Sequence, residues 1–261
     1  MLKEFVQNRK LILQLAVNDF KTRYAGSYLG IVWAFIQPVV TIFVYWFVFS
    51  TFRSGADRGV PFVLWLIAGL IPWFFFQDAL NAGASALLEY SYLVKKVVFK
   101  IEVLPVVKIC SALFVHLFFG FVLLVLYIAM GCFPGISALQ ILYYSAAMFM
   151  LTLGLSWLNS AVTVFFRDLR QIINIVLQVG VWLTPIMWSF DDLSLNRTLR
   201  IIFQLNPMYY IVYGYRDALI TKVWFWEHPA LTAYFWGITI FLLLFGRRTF
   251  RKLKIHFADV L

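Results

Sequence analysis

Long stretches without a single charged side chain constrain this chain more than anything else in it. Residues 24–52 contain no Asp, Glu, Lys or Arg, and neither does the segment between Lys108 and Arg167. A helix needs about 20 consecutive, mostly apolar residues to cross a bilayer. The chain is 63% hydrophobic, 20% aromatic and only 13% charged, more apolar surface than a soluble core of 261 residues could hide. Lipid is therefore the expected solvent.

Charged and turn-forming residues divide the chain into six expected spans, 29–50, 60–78, 105–130, 138–166, 171–190 and 229–246. The third and fourth are separated by Gly131-Cys132-Phe133-Pro134-Gly135, which is turn chemistry. An even number of spans returns both termini to one face. That face receives sixteen of the 22 basic residues, Lys95, Lys96, Lys100, Lys108 and Arg247 to Lys254 among them. The positive-inside rule then places both termini in the cytoplasm. The net charge of +10 reads as an orientation signal, and no nucleic-acid partner is expected, because the basic residues flank lipid in four short segments. The first 20 residues lack the continuous apolar core and small-residue cleavage site of a removable signal. Cys110 and Cys132, roughly 33 Å apart along one helix, are not expected to pair.

Three segments outside the spans have character of their own. Within residues 1–28, a helical wheel of the first 24 gathers Leu2, Val6, Leu13, Val17, Phe20 and Tyr24 in one sector, with Glu4, Gln14, Asn18, Asp19 and Lys21 opposite and Leu11 and Leu15 as exceptions. Such a helix lies in the interface, as an anchor or as something more. Residues 79–104 form a long cytoplasmic connection, helical in pattern until Pro105 and longer than a mere link requires. On the outer face, 191–228 includes an uncharged stretch, 201–215, too short to cross and interrupted by Asn206-Pro207. A re-entrant helical hairpin suits it, provided protein buries its turn. The expected fold is thus all-α and integral to the membrane, one domain over 1–261. Pro38, Pro72 and Pro185 lie inside the expected spans and should kink them.

Enzymatic chemistry finds little support. The sequence has no GxxxxGK[ST] phosphate loop, no metal-ligand spacing among His116, His228 and His256, and only one acidic pair, Asp191-Asp192. No catalytic or metal-binding residue is expected. His116 falls in mid-span, where an ionisable group is either functional or a neutral imidazole bonded to a neighbouring helix. The positive signal is aromatic: Trp33, Tyr45, Trp46, Trp182, Tyr209, Tyr210 and Tyr213 are candidates to line a conduit. Flat faces with polar tips suit sugar rings, although residues at span ends also form the interfacial belt of any membrane protein.

Several segments, in order, resemble the ABC-2 type permeases that export polysaccharides. They are NDFKTRYAGSYLGIVWAFIQP (18–38), GLIPWFFF (69–76), LVKKVVFKIEVLP (93–105), FFRDLRQI (165–172), TPI (184–186), NPMYYIVYGYRDAL (206–219) and HFADVL (256–261). One departure stands out: Lys100 occupies the position where the family commonly has proline, so the helix could run on towards Pro105.

The resemblance implies a homodimer of this chain on two cytosolic P-loop ATPase subunits, which would hold the ATP and Mg. It implies export across the bacterial inner (plasma) membrane of a polysaccharide of O-antigen, capsule or teichoic-acid type, carried on a polyprenyl diphosphate. Coupling to the ATPase is then expected at a helix from Glu89 to Glu102, with Lys95, Lys96 and Phe99 in contact. Lys21 and Arg23 stand at headgroup depth, where they either grip the lipid diphosphate or simply snorkel towards headgroups. The alternatives are a membrane transferase or a scaffold for lipid-linked glycan assembly.

Overall fold

The computed structural model describes residues 9–52, 59–95, 100–190 and 196–261, and among these the regular elements are all helical, without a strand. The principal helices are α1 (Arg9–Arg23), α2 (Trp33–Phe52), α3 (Phe62–Glu89), α4 (Leu104–Ala129), α5 (Gln140–Phe165), α6 (Leu169–Leu183), α7 (Arg197–Gln204), α8 (Pro207–Arg216) and α9 (Pro229–Leu253). Among the described residues, five helical stretches are long and apolar enough to cross a membrane; they contain α2, α3, α4, α5 and α9. The protein is a multi-span membrane protein.

Helix α3 is the axis of the bundle. Leu64, Leu66, Leu70, Ala79, Ala86 and Leu87 are fully buried, and α4, α5, α6 and α8 all pack against it. α2 is its opposite: Ala34 alone is buried along it, while Val39, Val40, Phe43 and Phe47 are exposed. α5 and α9 run against each other so closely that a Cβ on Gly246 would strike the Gly154 carbonyl oxygen.

The α4–α5 turn passes through Gly131 and Gly135, at φ of 74° and 71°, backbone that glycine adopts without steric cost. α1 packs on α4, with Phe20 edge-on to Phe114 at 5.8 Å. α1, the ends of α3 and α5, the start of α4 and the C-terminal residues share one end of the bundle, called here the basic end.

Three expectations are corrected by the fold. The expected second span stops at Asp78, yet α3 continues to Glu89 without a break. The helical pattern expected for 79–104 thus holds as far as Glu89, where Ala79, Leu80, Ala84, Ala86 and Leu87 are buried and Glu89 reaches Lys108. No single helix joins Glu89 to Glu102 either. Tyr90 leaves the helical path at φ −103°, ψ 29°, a lone turn covers Ser91–Val94, a 3-10 turn covers Ile101–Val103, and Lys100 is non-helical at φ −80°, ψ 87°.

The expected fifth span, 171–190, is helical only to Leu183, about 22 Å of rise and short of a full crossing. Thr184 is extended at φ −89°, ψ 129°, as a residue before proline prefers, so Pro185 follows the end of the helix instead of kinking it.

Beyond α6, the uncharged stretch 201–215 lies in two short helices broken at Asn206-Pro207. Asn196 caps α7 by accepting from the Leu199 amide, and Asn206 caps α8 by accepting from the Met208 amide. The Asn206 side chain also donates to Thr184 Oγ1 at 2.8 Å, fastening this break to the end of α6. α8 is buried and α7 is largely exposed.

Candidate functional site

A groove of about 530 Å³ runs between α2, α3, α4 and α6. Its chemistry comes from stripes of residues four apart, which a helix places on one face. α2 contributes Trp33, Gln37, Thr41 and Tyr45; α3 contributes Trp73, Gln77 and Asn81; α6 contributes Asn174 and Gln178. Gln37, Gln77, Asn174 and Gln178 are exposed, and lipid offers an amide no hydrogen bond. The groove gives these amides a common space in which water or a polar ligand can satisfy them.

Aromatic faces lie beside the amides. Trp33, Tyr45 and Phe74 line the wall, and Trp73 leans against α6 so tightly that a Cβ on Gly180 would sit 3.0 Å from its ring. The Trp73 indole N–H is buried without a hydrogen-bond partner. At the floor, His116 shares Nε2 with Ser145 Oγ and the Tyr215 hydroxyl, each at 3.0 Å, and its ring lies 4.9 Å from Phe75. It is thus bonded to neighbouring helices.

At the basic end the groove meets a second cavity of about 430 Å³; Asp78 and Asn81 line both. Here α1, α3 and α4 are joined by an ionic network. The buried Lys108 ammonium donates to Asp19 and to Glu89. Asp19 also accepts from the Tyr90 hydroxyl at 2.9 Å, and Arg23 Nη1 donates to both carboxylate oxygens of Asp78 at 2.9 and 2.8 Å.

Asp19 is 3% exposed although the wheel puts it on the polar side of α1, because a charge can be buried where an opposite charge and donors converge on it. Burial alone pushes the Asp19 carboxyl up, but the Lys108 hydrogen bond and charge outweigh it and hold the group below its ordinary value. For Arg23 burial opposes the charge, while Asp78 and Asp19 more than offset it and raise its pKa. Burial, then the bond to Asp19, raises the Tyr90 phenol, so it stays a neutral donor.

The residues singled out from the sequence are distributed as follows. Trp33 and Tyr45 line the groove. Trp46 is exposed on the outside of α2, and Trp182 is exposed near the end of α6, its carbonyl accepting from the Trp188 indole. Tyr209, Tyr210 and Tyr213 belong to the packing around α8. Tyr210 stacks on Phe235 at 4.7 Å, and Tyr209 lies 4.3 Å from Tyr213.

Lys21 is exposed on α1, and the Arg23 fork is held by Asp78. Lys95 is exposed just after the Ser91–Val94 turn, while Lys96 and Phe99 lie outside the described residues. Glu89 reaches Lys108. The Glu102 carbonyl accepts from the Trp157 indole at 3.1 Å, and its carboxylate accepts from Arg251 at 3.3 Å.

The amides Gln37, Gln77, Asn81, Asn174 and Gln178 went unremarked in the sequence. Their signal was available: polar pairs four apart inside three otherwise apolar segments. Arg216, counted there only as a basic residue of the outer face, is 4% exposed. It donates to the carbonyls of Pro185 and Ile186 at 2.6 and 2.7 Å and lies 3.4 Å over the Trp65 ring. It fastens the chain after α6 to α3 and α8.

Comparison with known proteins gives this geometry a context. The family model described as "ABC-2 type transporter" matches residues 10–220. The chain is 28% identical over 228 residues to the O-antigen export system permease protein RfbA of Myxococcus xanthus, covering 87% of this chain and 85% of that protein. It is 26% identical over 255 residues to the protein of the same name in Klebsiella pneumoniae, covering 96% and 95%. The polysialic acid transport protein KpsM of Escherichia coli is 20% identical over 207 residues, covering 79% and 80%.

Proposed function

The chain belongs to the ABC-2 type transporter family, and from that premise we propose that it is the membrane permease subunit of an ABC exporter that moves polysaccharide. It is a transport subunit and not an enzyme; ATP, with its Mg, is bound and hydrolysed by a separate P-loop partner. The observation that carries the reading is the groove, in which aromatic faces and side-chain amides lie side by side along α2, α3 and α6. Sugar rings stack their C–H faces on Trp and Tyr, and their hydroxyls exchange hydrogen bonds with Gln and Asn.

In this reading two copies of the chain face each other across α2, whose apolar surface has almost no cover within one copy. The polysaccharide travels on a polyprenyl diphosphate from the cytoplasm across the bacterial inner membrane. The chain crosses six times, α6 and the extended residues after it making the fifth crossing, and both termini lie in the cytoplasm with the basic end. The ATPase docks on residues 90–103, and force applied there passes through Glu102 to Trp157 on α5 and Arg251 on α9.

The diphosphate need not be held by Arg23, whose Nη1 is engaged by Asp78 and whose Nη2 faces Asp19; Lys21 is the exposed cation nearby. The test is ATP hydrolysis and glycan transfer in one set of proteoliposomes, with and without the ATPase partner. Transfer of a lipid-linked polysaccharide that needs ATP and both subunits is the expected result. Stable assembly with no transfer of any glycan would sink the reading in favour of a scaffold.

A further inference from the structure

We propose that the groove selects uncharged glycan and disfavours polysaccharides whose repeating unit carries a carboxylate or phosphate. This deepens the export function proposed above and rests on it. Among the described residues the groove wall contains no lysine or arginine. Apart from Asp78, where it meets the second cavity, its hydrogen-bonding groups are uncharged, chiefly the amides of Gln37, Gln77, Asn81, Asn174 and Gln178 with the hydroxyl of Thr41. Each matches a sugar hydroxyl as donor or acceptor, and none supplies the opposite charge that a buried anion requires. The aromatic faces act in the same direction, because a π-face presents negative potential that attracts C–H edges and cations.

The cavity at the basic end adds to this bias. Asp19, Asp78 and Glu89 face only two cations there, Arg23 and Lys108. Both are committed, Lys108 to Asp19 and Glu89, Arg23 to Asp78. Asp78 stands where the two cavities join, so a passing uronate or sialate meets a carboxylate and no open cation of the wall. A neutral sugar meets a hydrogen-bond acceptor at the same place. Every repeat of a charged chain encounters this passage, so the penalty recurs along the whole polymer.

The test compares cargoes on the full transporter in proteoliposomes with its ATPase partner. The probes are homopolymers of equal length on the same polyprenyl diphosphate, two of them neutral (mannose and rhamnose) and one acidic (N-acetylneuraminic acid). ATP-dependent transfer of a neutral chain roughly 100-fold faster than the acidic one is expected, the scale of a single unpaired charge in a low dielectric. Equal or faster transfer of the acidic chain overturns this inference and leaves the export function standing. No transfer of any probe overturns the export function, and the inference with it. Gln178→Lys and Thr41→Lys each place a cation in the wall, so the acidic-to-neutral rate ratio should rise several-fold in both; an unchanged ratio in variants that still transport counts against selection in the groove.

Discussion

Lys108 offers the sharpest test of how the basic end is held together. It is 5% exposed and is shared between Asp19 of α1 and Glu89 of α3. Lys108→Met removes the cation but leaves Asp19 at 3% exposure with a charge to solvate. Breaking a buried pair from one side costs about 3–5 kcal/mol. The Tyr90 hydroxyl and Arg23 Nη2, 2.9 and 3.5 Å from the carboxylate, retain part of its solvation, which favours the lower end of that range. A loss of about 3 kcal/mol corresponds to a fall of roughly 6–12 °C in Tm for a chain of this size.

Removing both charges should behave differently. In Asp19→Leu/Lys108→Met no uncompensated charge stays buried, Glu89 keeps its solvent contact and Arg23 keeps Asp78. The double variant should melt within about 1 kcal/mol of the parent, as apolar replacements of buried pairs do. Tryptophan-fluorescence melts of the parent, both single variants and the double variant in detergent measure this directly. A Lys108→Met variant that melts with the parent would refute the reasoning, and so would a double variant that melts as low as the single.

Three further outcomes follow from the same structure. The Asp19 pKa is depressed below 3.8, so its contribution to stability is complete above that value and is lost as pH falls through the depressed one. Melting temperature should therefore not change through this group between pH 7 and about 5 and should drop below about 4; the drop should shrink in Asp19→Asn. Gly246→Val drives a side chain into the Gly154 carbonyl and should cost at least about 1–3 kcal/mol by parting α5 from α9. Gly237→Ala, on the same helix with nothing within 4 Å, should be neutral or slightly stabilising. Arg216→Lys keeps the charge but not the fork that reaches Pro185 and Ile186 together, and should lower stability by about 2 kcal/mol in the same melts.

The apolar helices were legible because absence of charge over a bilayer's width is a local property, visible in 24–52 and 109–166 without knowing any contact. Residues beyond Asp78 read as helical too, but that they continue α3 without a break was not legible, because the partners of Asp78 and Glu89, Arg23 and Lys108, are distant in sequence. The end of α6 was readable in part: Thr184-Pro185 announces a break, but an uncharged run outweighed it.

Residue type alone identified Trp33 and Tyr45 as candidates to line a conduit, yet it could not separate them from Tyr209 and Tyr210, which pack around α8. Which aromatic faces a groove depends on helix rotation. The surer guide, unused in the sequence reading, is the polar pairing Gln37/Thr41, Gln77/Asn81 and Asn174/Gln178, since apolar helices rarely carry polar pairs four apart without a polar space to face.

The most direct test of the central claim is site-specific photo-crosslinking during transport. A photoreactive side chain would replace Gln37 or Gln178 in the groove, or Phe121, which is 66% exposed on the outside of α4. Each variant would be assembled with the ATPase partner and a radiolabelled lipid-linked glycan. The account predicts ATP-dependent crosslinks to glycan at 37 and 178 and none at 121. Crosslinking absent from both groove positions while transfer proceeds, or equal at all three, would contradict it.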